Sequence, residues 1–255
     1  MGVVSVGNQI GDEGLKGLAF GLAFCTNLSN FTLSLSTSFI GEEGVSGLSS
    51  ALAKCANLSN LKLYLDGNEI GDEGTSCLAS ALANCTNLSN LILNLSYNLI
   101  GDEGATFLNS ELAKCTNLSD IKLYLEENQI GASGVQFLTS VLASCTNLSN
   151  MTLDLSKNLI GLNRTSGLAS VFEKCTNLSN LALELNENKV GDEDASILGF
   201  ALANCTKLSN ITLNLSKNKI GVNGAQGLIS VLTNCTNLSI LKLNLRQKQS
   251  TYFRF

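Results

Sequence analysis

Cysteine stands at positions 25, 55, 85, 115, 145, 175, 205 and 235, one every thirty residues, and a ninth, Cys77, falls outside that register. Nine thiols raise the question of metal or disulfide chemistry. A structural zinc site needs closely spaced cysteine pairs or histidines. The chain has no C-x-x-C pair and no histidine. Eight thiols at one repeat position would form a ladder along a stack, where disulfides are geometrically conceivable but small buried apolar thiols are the simpler reading. Cys77 interrupts a helical pattern at a packing position and reads the same way. Paired carboxylates are the other candidates: Glu126 with Glu127, and Asp154 with Glu184, could divide acid and base roles. No histidine assists them, no glycine-rich phosphate loop is present, and an open surface does not exclude water. No catalytic residue, metal or cofactor is expected.

These columns exist because the chain repeats. Glycine recurs at 11, 41, 71, 101, 131, 161, 191 and 221, in step with the cysteines and without insertion. Eight thirty-residue units fill 11–250, between an opening strand at 1–10 and a tail at 251–255, so 1–255 reads as a single solenoid domain. Each unit runs roughly G-D-E-G-x-x-x-L-x-x-x-L-x-x-C-T-N-L-S-N-L-x-L-x-L-x-x-N-x-I. In the third unit Thr75, Leu78, Ala79 and Leu82 recur at helical spacing and form one apolar stripe. Asp72 and Glu73 are placed to supply a cap oxygen and negative charge at the helix start. Leu91 to Leu95 alternates at period 2, predicting a strand entered through the turn at Thr86-Asn87. One short helix and one short strand cannot bury their apolar faces alone, so neighbouring units must stack. Leu18, Cys25, Leu28, Ser29, Leu33 and Leu35 recur unchanged in all eight units and are assigned to that stacking. Asn8, Asn68, Asn98, Asn128, Asn158, Asn188 and Asn218 form a second column, suited to bonding buried backbone groups; Ser38 and Lys248 interrupt it.

L-x-L-x-L-x-x-N-x-I-G-D-E-G followed by a helix resembles a leucine-rich repeat of the ribonuclease-inhibitor-like class. The resemblance implies an α/β fold: a right-handed leucine-rich-repeat solenoid, a horseshoe arc of eight strand–helix repeats with a parallel sheet on its concave face. The extra apolar alternation in "NLSNLKLYLDGN" is similar to repeat arrays of single-celled eukaryotes, some fused to kinase domains. No kinase glycine loop or "HRD" is present here, so kinase activity does not carry over. Composition agrees with a folded chain: 44% apolar and 15% charged residues over 255 positions. A net charge of −5 without clustered Lys and Arg argues against nucleic acid. No apolar run approaches about eighteen residues, and Met1 leads directly into repeat sequence, so no membrane span or signal peptide is expected. The recurring N-x-S/T sequons fall in packed turns and read as accidental. With reduced cysteines, they point to a cytoplasmic protein.

Function is expected where the columns vary. The outward strand positions include Lys62, Tyr64 and Asp66; Lys122, Tyr124 and Glu126; Asp154; and Glu184. The next loop residue adds Tyr97, Glu127, Lys157, Glu187 and Lys217. Units four to six sum locally to −3, whereas Lys217, Lys242 and Arg246 give +3, so the concave sheet reads as polarised. Tyr64, Tyr97 and Tyr124 are its aromatic anchors. A non-catalytic scaffold binding a protein partner through Lys62, Tyr64, Asp66, Tyr97, Lys122, Tyr124, Glu126, Glu127, Asp154, Glu184 and Glu187 is the leading expectation. Two alternatives stand beside it: a regulatory repeat segment of a larger, kinase-linked signalling protein, and a GTPase activator. The resemblance raises the second, because some proteins of this repeat class accelerate GTP hydrolysis. Arg164, in place of the Gly of G-D-E-G, would be its arginine, although Asp194 replaces the same Gly one unit later. Val4 and Val6 alternate out of phase with the later leucines, and Tyr252, Phe253 and Phe255 could fold over the last repeat as a cap. Raw ends would instead favour end-to-end self-association.

Overall fold

The computed structural model of the chain describes residues 9–131, 145–161, 177–233 and 235–247. The Val4–Val6 alternation, Cys175, Arg164, Lys248 and the aromatic tail therefore lie outside the described residues. Helices α1 (Gly11–Leu22), α2 (Glu42–Leu52), α3 (Asp72–Ala83), α4 (Asp102–Leu112), α5 (Asp192–Ala203) and α6 (Val222–Leu232) accompany eight strands. These are β1 (Asn30–Ser34), β2 (Asn60–Tyr64), β3 (Asn90–Asn94), β4 (Asp120–Tyr124), β5 (Asn150–Asp154), β6 (Asn180–Glu184), β7 (Asn210–Asn214) and β8 (Ile240–Asn244). All eight pair in parallel in sequence order, forming one open sheet. Their register is the repeat itself: Leu63 faces Leu93, and Leu93 faces Leu123. The result is an α/β solenoid in which parallel strands alternate with helices.

Each strand starts and stops one residue earlier than the leucine alternation predicts, Asn90–Asn94 in place of Leu91–Leu95. The physical reason lies just beyond Leu95. Thr37, Tyr97, Glu127, Lys157, Glu187 and Lys217 all take positive φ, between 50° and 56°, with Gly67 at 67°. A left-handed residue turns the chain out of the sheet, yet its N–H still reaches the next unit. Tyr97 N donates to Glu126 O at 2.7 Å and Lys157 N to Asn186 O at 2.8 Å. The strand leaves the sheet abruptly because one residue per unit is held in this conformation.

The leucine columns fill the interior. Leu63, Leu93, Leu123, Leu153, Leu183 and Leu213 are buried, and so is the predicted α3 stripe. The asparagine column does what its side chain allows. Asn98 Oδ1 accepts from Ile70 N at 3.0 Å, while its Nδ2 donates to the carbonyls of Leu65, Leu95 and Ser96. Ser38 interrupts the column; its backbone N–H donates to Asn68 Oδ1 and its hydroxyl to Ser36 O. At the other end Gln247 substitutes from the neighbouring position, accepting from Asn218 N and donating to Leu215 O and Leu245 O.

Two expectations need correction at the first and last units. Cys55, Cys85 and Cys115 are buried, but Cys25 is exposed and Cys235 half-buried, because each thiol is covered by neighbouring units. Leu18 is exposed for the same reason and Leu28 only partly buried. Where the thiols are enclosed, Cys85 Sγ lies 3.6 Å from Ala81 O and 3.8 Å from Leu52 O.

The acidic motif also works differently from a cap on its own helix. Gly71, not Asp72, is the N-cap of α3, and no side chain caps it. Asp72 reaches into the following unit: its Oδ1 accepts from Gly101 N at 2.7 Å and Gly104 N at 2.9 Å. Asp12, Asp102 and Asp192 likewise accept from Gly41, Gly131 and Gly221. That contact requires the second glycine of G-D-E-G. A β-carbon on Gly104 would stand 2.5 Å from Asp72 Oδ1 and 2.9 Å from Asp72 Cα.

Candidate functional site

The open face of the sheet carries three outward columns and the left-handed loop column beside them. Strand alternation places Lys62, Tyr64 and Asp66 on this face of β2 and its extension, with Lys122, Tyr124 and Glu126 two strands away. Parallel strands are spaced about 4.8 Å apart, so Tyr64 and Tyr124 lie roughly 10 Å apart, and Asn94 occupies the register position between them. Both rings are half-buried, and neither hydroxyl has a hydrogen-bond partner among the described residues. Tyr97 does not share their column. It belongs to the left-handed loop column, is exposed, and its hydroxyl donates to Glu126 Oε1 at 3.2 Å.

Lys157 organises this part of the face, although its sequence position marks it only as one more charge. Its Nζ lies 2.9 Å from Glu126 Oε1 and 3.1 Å from Glu127 Oε2. It also donates to the Tyr97 hydroxyl at 3.2 Å and sits 5.4 Å from the centre of that ring. Glu126 first, then Tyr97 and Glu127, hold this ammonium well above its ordinary pKa. Lys217 pairs in the same way with Glu187 at 2.8 Å. The column 97–127–157–187–217 is therefore a ladder of aromatic, acidic and basic groups that meet across successive units.

The charges on this face pair across units: Lys157 bridges Glu126 and Glu127, which leaves one negative charge over, and Lys217 pairs with Glu187. Lys242 on β8 and Arg246 just beyond it are exposed. Asp66 accepts from Ser36 Oγ at 2.8 Å and Asn94 Nδ2 at 2.9 Å. Asp154 accepts from the N–H and hydroxyl of Ser156, and Glu184 faces it in register on β6. Burial pushes the Glu184 carboxyl up; a hydrogen bond to Asn214 opposes this, and the charge of Asp154 adds to it. The two carboxylates are half-buried neighbours on the open face of the sheet.

Lys62 and Lys122 form no ion pair among the described residues. Just beyond the asparagine column, Phe39, Leu99 and Leu159 are exposed in every second unit, apolar positions that the strand pattern does not mark. Among the described residues there is no cluster of three or more His, Cys, Asp or Glu able to hold a metal ion. No helix there is long and apolar enough to cross a membrane.

Arg164, the arginine of the GTPase-activator alternative, lies outside the described residues. Its neighbour in the column is informative. Asp194 Oδ2 accepts from Gly191 N at 3.0 Å, so α5 supplies from within its own unit the bond that other units receive from the preceding one. Thirty-two residues before Arg164 and Asp194 stand Ala132 and Leu162. Before Gly44, Gly74, Gly104, Gly134 and Gly224 stand Asp or Glu. Glycine is kept where an acidic side chain arrives from the unit before, and the two departures follow the two losses of that acid.

With this geometry in place, the comparison with known families is specific. The leucine rich repeat family model matches residues 6–19, 57–79, 87–108 and 207–228. The last three of those segments run from a strand into the following helix, and a parallel sheet of eight strands fits such a protein. No curated protein matches the chain.

Proposed function

We propose that this leucine-rich-repeat arc is a non-catalytic scaffold that binds a protein partner on the concave face of its sheet. The observation that carries this reading is the pair Tyr64 and Tyr124. They are half-buried aromatic rings on one column, with hydroxyls that no described group engages. Aromatic side chains with a free polar tip concentrate binding energy at protein interfaces. Lys62, Asp66, Lys122, Glu126, Glu127, Asp154, Glu184 and Glu187 form the charged surround, and Tyr97 with Lys157 braces one side. The free thiols suit a reduced, cytoplasmic protein.

The test is titration of a captured partner against variants of the whole chain. Tyr124→Ala should weaken binding by about 2 kcal/mol or more, while fold stability changes by less than about 1 kcal/mol. Reversing Glu184 to Lys should change the association rate, and added salt should shrink that change. If both variants bind like the parent and Lys114→Glu, in the turn after α4, abolishes binding, the partner site is on the helix side and this proposal is wrong.

A further inference from the structure

A shallow hollow of about 320 Å³ opens on the sheet face beside the tyrosines, lined by Lys62, Ile92 and Lys122 with Asn60, Asn90 and Asp120. Ile92 is half-buried in the register position between the two lysines. The two lysines stand on β2 and β4, their backbone positions about 10 Å apart at two strand spacings. In a chain of net charge −5 these cations have no carboxylate partner among the described residues, while Lys157 and Lys217 on the same face are paired.

The rim of the hollow offers acceptors. Asn60 Nδ2 donates to Asn30 Oδ1 and Asn90 Nδ2 to Asn60 Oδ1, each at 2.7 Å. Asp120 occupies the next rung, and an ionised carboxylate has no hydrogen to give. Asn90 Oδ1 and the Asp120 carboxylate thus face the hollow as acceptors without a donor among the described residues. Backbone N–H groups of an incoming chain would fill that need.

We propose that Lys62 and Lys122 receive an extended acidic segment of a protein partner. It crosses β2, β3 and β4 with one carboxylate on each ammonium and its backbone passing over Ile92. The proposal rests on the concave-face reading and specifies the chemistry of its partner. The spacing favours acidic residues three apart. In a polyproline-II-like stretch residues i and i+3 point the same way and lie about 9.3 Å apart, which matches the two lysines. Tyr64 and Tyr124, one outward step further along the same strands, would flank the segment.

The experiment measures binding of three labelled peptides to the whole chain at low and moderate salt: acetyl-Gly-Glu-Leu-Pro-Glu-Gly-amide, its double-Gln analogue and its double-Lys analogue. The acidic peptide is expected to bind about tenfold more tightly than the Gln analogue, with the difference shrinking as salt rises. Lys62→Ala with Lys122→Ala should reduce it to the level of the Gln analogue, while Lys114→Ala should leave it unchanged. Equal binding of all three peptides, no binding of the acidic peptide at millimolar concentration, or unaltered binding to the double variant would overturn the inference. The same variants with a captured partner separate the two proposals. Loss of that partner on Tyr124→Ala but not on the double lysine variant leaves the concave face standing and removes the acidic segment.

Discussion

Asn98 shows how much one side chain can hold in this fold. Its four hydrogen bonds connect the Ile70 N–H of the preceding unit with three carbonyls, all within buried backbone. Asn98→Ala leaves the Ile70 N–H unpaired away from water, while the three carbonyls keep Asn68 Nδ2, Asn128 Nδ2 and Gly67 N as donors, so a loss of roughly 1–3 kcal/mol is expected. Urea unfolding measures it, and a loss under about 0.5 kcal/mol would show that water replaces the amide. The thiols act at the same scale. Burial pushes Cys85 up to about 11 and Cys115 up to about 12, with neighbouring thiols adding a smaller push. Both values are raised in the folded state, so this contribution to stability is complete below the unfolded-state value near 9 and is lost as pH rises toward 11–12. Stability should fall by up to about 1.4 kcal/mol per pH unit for each thiol across that window. Replacing Cys85 and Cys115 by Ala should flatten the slope.

At the scale of elements, each helix start depends on the preceding helix. Asp72 of α3 accepts from the first N–H groups of α4, and Gly104 is the space it enters. Asp72→Ala should cost about 1 kcal/mol, the usual magnitude of a lost cap. Gly104→Ala should cost more, since the added methyl meets both the carboxylate and Asp72 Cα. The two changes should not add. Removing the carboxylate clears part of the clash, so the double variant should be more stable than the sum predicts by about 0.5 kcal/mol or more. Additive losses would mean that the backbone contact alone dictates glycine here. The Asp194 bond to Gly191 is the natural version of this coupling, with acid and glycine exchanged together.

At the scale of the whole molecule, the sheet is one-dimensional: β1 to β8 each pair with their sequence neighbours, and among the described residues β8 pairs on one side, with β7. Stability is then close to a sum of units and of the interfaces between them. Leu93, buried in β3 between two strands, should cost about 3 kcal/mol or more on change to Ala. Leu243 is only partly buried on β8, and Leu243→Ala should cost clearly less. Equal losses in parallel denaturant titrations would contradict this graded picture. Thiol accessibility should follow the same gradient. Cys25 is expected to react with a thiol reagent in the folded protein, and Cys55, Cys85 and Cys115 only after unfolding.

The sequence alone determined the architecture, because a strict thirty-residue period forces residues n and n+30 into neighbouring positions. Leu63 beside Leu93, the helical stripe of α3, and the outward placement of Lys62, Tyr64, Lys122 and Tyr124 all follow from that period and from strand alternation. The asparagine column was legible as well, since an amide is the side chain that can both donate and accept among stacked turns. What the period could not show is which groups meet across units. Lys157 reaches Tyr97 sixty residues away, and Asp72 serves the glycines of the next helix in place of its own N-cap. The left-handed conformation at Tyr97, Glu127 and Lys157 carries no glycine to announce it. These outcomes depend on the distance and direction between side chains in adjacent units. Stacking fixes that geometry, and so the tertiary structure decided that, among the described residues, Lys62 and Lys122 form no ion pair while Lys157 and Lys217 do.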